Sequence, residues 1–429
     1  ARNNLSLLLL EEGQIEQSIK YARKALEENS GYVDAKFNLS LGLFENKEYY
    51  ESLKICDELL TDPLYKKKAF ELKIRINQII CSWGSHKETH ETLKNNQIIV
   101  HPFLHVSHVM DEESNYVNAI KWNNNLENVQ KNKSIINNSK SIKLGFLCGE
   151  IRNHPTYFLI KNLFKSIKSN NIKMYMFSYN HSNEERDYIE NSFKEFIDIT
   201  NLNFLDARNN IKSYEIDILI DLTTIISHNR INILDNSTAK VIISYLAFPG
   251  TTGNHLYDYI LTDTIVTPQK MQNYYSEKFL YLPGGYQVNN GELNIEIETK
   301  RESYNLPNDG VILGCLNQSF KLDPLFFTIW IDILSQHNNT YLWLLDEGPE
   351  MRDNIFKFID NKVDHNRIIF AEKVGYAEHL KRIQHIDIAV DTKIYNGHTT
   401  SIEMLQAGVP LVTLKGSHFA SRVSASILN

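Results

Sequence analysis

The sequence predicts an α/β chain of two Rossmann-like lobes preceded by an α-helical repeat array. Three observations predict it. The first 70 residues repeat themselves at an offset of 34 residues. Beyond residue 140, apolar strand candidates alternate with helical runs in two sets. Polar motifs fall just after the strand candidates, where ligands bind in parallel α/β sheets.

The repeat comes first along the chain. "NLSLLLLEEGQIEQSIKYARKALEE" starts at Asn4 and "NLSLGLFENKEYYESLKICDELLTD" at Asn38. Leu5 matches Leu39, Leu9 matches Leu43, Ser18 matches Ser52 and Leu26 matches Leu60. Each copy reads as two helices with apolar residues three and four apart, and the period resembles that of tetratricopeptide repeats. Such units bury their faces by stacking, so two copies predict more upstream. The chain opens at Ala1 and stops at Asn429 inside helical patterns, so a longer protein is expected.

Residues 1–80 are assigned to this array and 81–137 to a helical linker. The Asn- and Lys-rich "NNNLENVQKNKSIINNSKS" reads as an exposed loop. Residues 138–292 form the first lobe, with strands expected at "IKLGFLC" (Ile142–Cys148), "KMYMFSY", "IDILIDL" and "KVIISYL", and a helix at "YFLIKNLFKSIKS". Residues 293–429 form the second, with strands at "GVILGCL" (Gly310–Leu316), "TYLWLL", "RIIFAEK", "IDIAVDT" and "PLVTL". Continuous apolar strands between helices imply parallel sheets covered on both faces.

Composition narrows the function. With 45 basic and 52 acidic residues among 429, the net charge is −7. That argues against a nucleic-acid coat or a polybasic membrane binder. Cys56, Cys81, Cys148 and Cys315 lie far apart in apolar surroundings and read as free buried thiols of a reducing, cytoplasmic compartment. There is no signal peptide and no run of about 20 apolar residues.

The chemistry is carried by five motifs. "CGEIRNHPTYFL" supplies Glu150, His154, Pro155 and Thr156; "YLAFPGTTG" supplies Leu246, Ala247 and a Pro-Gly-Thr-Thr-Gly turn; "LNQSFKLDP" supplies Gln318 and Lys321. "EKVGYAEHLKR" supplies Val374, His379 and Arg382, and "DTKIYNGHTTSIE" supplies Asp391, His398, Thr399, Thr400 and Glu403. The last motif puts His-Thr-Thr at a helix start, whose unpaired N–H groups and dipole favour an anion. Two threonine hydroxyls add donors and Lys321 adds charge, so a diphosphate is the natural occupant. No Walker loop and no G-x-G-x-x-G occurs, which disfavours a P-loop NTPase or a nicotinamide enzyme. Each motif also has a structural reading. Thr400-x-x-Glu403 fits a capping box, a single His is commonly structural, and Lys321 and Arg382 fit solvated charges.

Taken jointly, "CSWGSHKE", "HPF", "NHPT", "FPGTTG", "DYILTD", "YSEKFLYLP", "NQSFK", "YNGHTTSIE" and "ASRVSASIL" resemble the peptide O-N-acetylglucosamine transferase family. These are inverting glycosyltransferases with tetratricopeptide repeats fused to a two-lobed GT-B domain. The resemblance spans nearly the whole chain. It implies His154 as the active-site His, Lys321 with Gln318 at the donor diphosphate, and His379 and Arg382 at the base. It likewise implies His398, Thr399 and Thr400 as the diphosphate trio and Glu403 at the ribose, with Pro155, Thr156, Leu246, Ala247 and Val374 beside the donor. About 20 residues separate the lobes, near Asn290–Gly310, as expected for a bacterial-type member.

Several positions depart from the family pattern. Glu150 and Glu403 stand where it has Asp, Phe103 where the animal enzyme has a second active-site His, Ala247 where it has Gly, and Tyr376 where it has Lys. The implied activity is transfer of N-acetylglucosamine from UDP-GlcNAc to Ser or Thr hydroxyls of proteins held partly by the repeats. No metal or other cofactor is expected. His154 is a candidate base, since a histidine's reference pKa lies near neutrality; Glu150 and the donor phosphate compete for that role. The alternatives are GDP-fucose-dependent transfer, as in SPINDLY-type relatives, and an inactive repeat scaffold.

Overall fold

The computed structural model describes residues 1–123, 141–226, 229–289, 291 and 299–429. The exposed loop expected at residues 123–141 lies almost wholly outside them, as do the lobe boundaries at 137/138 and 292/293.

Helices Arg2–Glu11, Ile15–Glu28, Val33–Glu45 and Tyr49–Leu59 form two successive hairpins, followed by Lys66–Ile79. The internal repeat is visible at the atomic level. Ser18 Oγ donates to Ser6 O at 2.8 Å, and Ser52 Oγ donates to Ser40 O at 2.7 Å. The equivalent turns both need left-handed backbone, met by Gly13 (φ 74°) in one copy and by Lys47 (φ 63°) in the other. Small buried side chains at Ala22 and Cys56 let the helices approach.

The first lobe holds a seven-stranded sheet of β1 (Ile142–Cys148), β2 (Ile172–Ser178), β3 (Glu195–Asp198), β4 (Ile218–Asp221), β5 (Val241–Ser244), β6 (Tyr259–Thr262) and β7 (Lys278–Tyr281). Their order is β3-β2-β1-β4-β5-β6-β7, all parallel. The second lobe holds β8 (Val311–Cys315), β9 (Thr340–Leu345), β10 (Ile368–Ala371), β11 (Ile388–Val390) and β12 (Leu411–Val412), in the parallel order β10-β9-β8-β11-β12. This is the two-lobed architecture expected from the alternation of apolar strands and helices.

Three strands escaped the sequence reading. β3, β6 and β7 have four residues each, and the edge strand β7 is only half-buried at its best-covered positions. Such short runs leave no long apolar stretch to notice. The single helix expected at "YFLIKNLFKSIKS" is two, Pro155–Ile160 and Leu163–Ser166.

The end of the chain crosses between the lobes: Phe419 and Val423 are buried in the core of the first, among Tyr245, Leu246 and Tyr286. Arg422 pairs with Glu112 at 2.5 Å, and Tyr275 donates to the same carboxylate at 3.0 Å. The helical region docks on the second lobe through Trp83, 5.2 Å from Phe327 and 4.7 Å from Phe358 between ring centres. All four cysteines are free and buried.

Candidate functional site

Both sheets reverse their strand order at a single step, between β1 and β4 in the first lobe and between β8 and β11 in the second. Loops leaving neighbouring strands diverge at such a point and open a crevice. The crevices face one another across a cleft of about 780 Å³. The candidate catalytic and donor-binding residues line it: Glu150, His154, Pro155 and Thr156 after β1, Leu246 and Ala247 after β5, Gln318 and Lys321 after β8, Val374, His379 and Arg382 after β10, and His398, Thr399, Thr400 and Glu403 after β11; Asp391, named with the last motif, is not part of that lining.

Lys321 is buried, and its Nζ donates to the carbonyls of Asn396 (2.8 Å) and Gly397 (3.1 Å). It also lies 4.6 Å from the centre of the Tyr395 ring. Burial pulls its pKa down to about 8, against the opposing pull of Asp391 and Glu403. No carboxylate comes within salt-bridge range of it among the described residues. It is therefore not a solvated surface charge but a desolvated cation that an anion would stabilise.

The helix beside it, Thr399–Gln406, starts at His398 without a side-chain cap. Glu403 is the fifth residue of that helix, too far along to reach back to its start, so the capping-box reading of Thr400-x-x-Glu403 does not hold. Asp391 organises the preceding loop, accepting from the N–H groups of Gly397 (2.7 Å) and Thr392 (2.8 Å) and from the hydroxyl of Thr413 (2.7 Å). His398 sits at φ 55° and ψ −107°, a conformation that ordinary side chains avoid. Its ring stacks on Tyr395, and burial keeps it neutral. Leu246 is a second strained residue on the cleft, at φ 78°.

At the far end of the cleft lies a polar chain. Arg382 donates through Nη2 to His379 Nδ1 at 3.1 Å. That leaves the His379 proton on Nε2, 3.3 Å from Glu403 Oε2. Burial and the neighbouring Glu403 carboxylate push the pKa of the Tyr376 hydroxyl up. Burial lowers the pKa of Arg382, whose Nη1 donates to Glu372 O.

On the opposite wall His154 caps the helix Pro155–Ile160, its Nδ1 accepting from Thr156 N–H at 3.2 Å. Burial and the neighbouring Arg152 push its pKa down to about 4, well below the near-neutral value expected for a free side chain. At neutral pH the ring is uncharged and carries its proton on Nε2. Buried Glu150 lies 3.8 Å from Nδ1 and pairs with Arg152 at 2.7 Å. Phe103 packs with Phe320 (5.7 Å) and Tyr395 (5.8 Å) on the cleft wall.

The sequence reading missed Arg152, Phe158 and Lys373, all of which line the cleft. All three lie within the motifs read above, but nothing in residue type or spacing distinguished them. Among the described residues, no group of three or more His, Cys, Asp or Glu side chains is placed to hold a metal ion. Nor is any helix among them long and apolar enough to cross a membrane.

Known proteins resemble this chain in sequence and in fold. The chain is 33% identical over 298 residues to a probable UDP-N-acetylglucosamine–peptide N-acetylglucosaminyltransferase, SEC, of Arabidopsis thaliana, covering 67% of this chain and 30% of that protein. It is 22% identical over 409 residues to the UDP-N-acetylglucosamine–peptide N-acetylglucosaminyltransferase of Caenorhabditis elegans, covering 68% of this chain and 36% of that one. The chain thus spans about a third of the length of these relatives. Its fold matches that of an O-GlcNAc transferase mutant of Thermobaculum terrenum with a TM-score of 0.80 at 19% identity, over 100% of this chain and 84% of that one. The sequence profile of glycosyl transferase family 41 matches residues 116–296 and 289–429, which together take in both lobes and the cleft between them, and the chain belongs to that family.

Proposed function

We propose that this chain carries an inverting glycosyltransferase site that moves N-acetylglucosamine from UDP-GlcNAc to Ser or Thr hydroxyls of proteins. The observation that carries the reading is Lys321, a buried cation without a carboxylate partner in salt-bridge range, next to an uncapped helix start. In this reading the donor diphosphate lies against Lys321, Thr399 and Thr400, and the nucleoside extends towards Glu403, His379 and Arg382. The names of the relatives supply the sugar and the acceptor class.

The acceptor oxygen bonds to the anomeric carbon as the bond from that carbon to the diphosphate oxygen breaks. Charge growing on the leaving diphosphate is met by Lys321 and the helix start, already in place before reaction. This assigns the cation role to the protein, so chelators should leave turnover unchanged. The acceptor proton goes to Glu150, to the donor phosphate or to His154. The neutral His154, with Nδ1 held by Thr156, offers the cleft an N–H donor and serves first as an orienter.

The acceptor is proposed to enter from the side of the repeats. A second cavity of about 830 Å³, lined by Phe37, Leu41 and Arg75 of the array, shares Phe103, Ile226, Gln318 and Phe320 with the donor cleft.

The test is a thermal-shift panel of UDP- and GDP-sugars, since a specific ligand raises the melting temperature by mass action. UDP-GlcNAc should stabilise the protein and be turned over. Lys321→Ala should cost roughly 3 kcal/mol of transition-state stabilisation, about a hundredfold in rate. Stabilisation by GDP-fucose instead would reassign the donor. Absence of binding by any nucleotide sugar would leave the scaffold reading.

A further inference from the structure

Two half-buried aromatic rings meet across the cleft. Phe158 belongs to the short helix Pro155–Ile160 of the first lobe and Tyr376 opens the helix Tyr376–Arg382 of the second. Their centres are 3.9 Å apart and their planes differ by 7°. Each ring sits at the rim of its own lobe's core rather than inside it. Their contact is therefore not a by-product of either core.

The stack joins two polar assemblies. On one side, Tyr376 lines the cleft with Glu403, and burial and the Glu403 carboxylate push the pKa of its hydroxyl up; Glu403 also faces His379 Nε2 at 3.3 Å. On the other, Phe158 lies one turn along the helix whose first N–H groups are capped by His154. Phe158 N–H itself bonds to His154 O at 3.2 Å. A shift of Phe158 must therefore move the His154 backbone. The chain of contact runs from Glu403 through Tyr376 and Phe158 to His154, without passing through the sheets.

We propose that Phe158 and Tyr376 are positioning residues: the stack couples occupation of the nucleoside end, sensed at Glu403, to placement of His154 at the reacting end. The proposal rests on the functional reading above. It gives the two rings different duties. The Tyr376 hydroxyl orients the Glu403 carboxylate and so affects nucleotide affinity. The stacked faces hold His154 in place and so affect the chemical step.

The experiment measures UDP affinity by calorimetry and kcat for UDP release from UDP-GlcNAc. The proteins compared are the wild type, Phe158→Leu, Tyr376→Phe, Tyr376→Leu and the double variant Phe158→Leu/Tyr376→Leu. Melting temperatures confirm that each is folded. Phe158→Leu should lower kcat by about tenfold while leaving UDP affinity within about twofold, a split that a merely structural loss would not produce. Tyr376→Phe keeps the stack and should weaken UDP affinity by about threefold or more, with a smaller loss of kcat than Tyr376→Leu. The double variant should have the kcat of Tyr376→Leu, because either substitution already removes the shared contact. Unchanged kcat in Phe158→Leu, or additive losses in the double variant, overturns the proposal alone. A wild-type protein that binds neither UDP nor GDP overturns the functional reading and the proposal with it.

Discussion

Lys321 and Glu403 are both buried charged side chains, and the proposed donor site is built on that burial. With its pKa near 8, Lys321 is mostly charged at pH 7 and mostly neutral at pH 9. In the proposed function a diphosphate binds the charged form, so nucleotide affinity should fall by about tenfold between those values, as titration calorimetry would show. Lys321→Ala should flatten the profile. The sign for the ligand-free protein is the reverse. The folded pKa is below the ordinary 10.5, so between about 8 and 10.5 the unfolded chain holds a proton the folded chain lacks. This group therefore makes stability rise with pH across that window. For Glu403, replacement by Gln keeps size and removes the charge. Charge-assisted hydrogen bonds contribute about 1.5–3 kcal/mol against about 1 for neutral ones, so UDP affinity should drop about tenfold at an almost unchanged melting temperature. A smaller drop with a 2′-deoxy nucleotide would tie the loss to the ribose.

At the scale of the element, the helix Thr399–Gln406 depends on the residue two positions before it. A Cβ on Gly397 would lie 2.3 Å from Ser401 Oγ and 3.0 Å from Ser401 N, inside the helix's own first turn. Gly397 also supplies a carbonyl to Lys321 and an N–H to Asp391. Gly397→Ala should thus tilt the helix start and release Lys321 together, weakening nucleotide binding more than tenfold, by about 1.4 kcal/mol or more. Ser401→Ala in the same background relieves the closest clash, and partial recovery of affinity would identify that contact as the cause. "YNGHTTSIE" was readable as a helix start that favours anions. That Glu403 lines the cleft rather than capping its own helix was not readable, because the helix begins two residues earlier than a capping box at Thr400 requires.

Across the whole molecule, the pair Glu112–Arg422 joins the helical region to the end of the chain, with Tyr275 of the first lobe completing it. Both charged side chains are almost fully buried, at 4% and 3% exposure. Removing one partner of such a pair costs about 3–5 kcal/mol, whereas replacing both with apolar residues is often neutral. Glu112→Ala should therefore lower the urea midpoint sharply, and Glu112→Met combined with Arg422→Met should recover most of it. Equal losses in the single and double variants would mean that the pair contributes through packing alone.

The sequence by itself determined the order of parts and the motifs that gather at the cleft. Strands such as β1 and β9 were legible because parallel strands covered on both faces must be continuously apolar, and the 34-residue match of Ser18 with Ser52 prefigured two equivalent hydrogen bonds. Cleft-lining residues were legible where polar motifs follow those strands, because chain direction alone brings the carboxyl ends of parallel strands to one edge. Tertiary structure alone decided what depends on through-space neighbours far apart in sequence. Burial, not residue type, pushed His154 to about pKa 4 and Lys321 to about 8. The return of Phe419 and Val423 to the first lobe, and the meeting of Phe158 with Tyr376 across the cleft, depend on how two separately folded sheets face each other. No local pattern encodes that arrangement, since the free energy that sets it comes from surfaces that touch only once both lobes have formed.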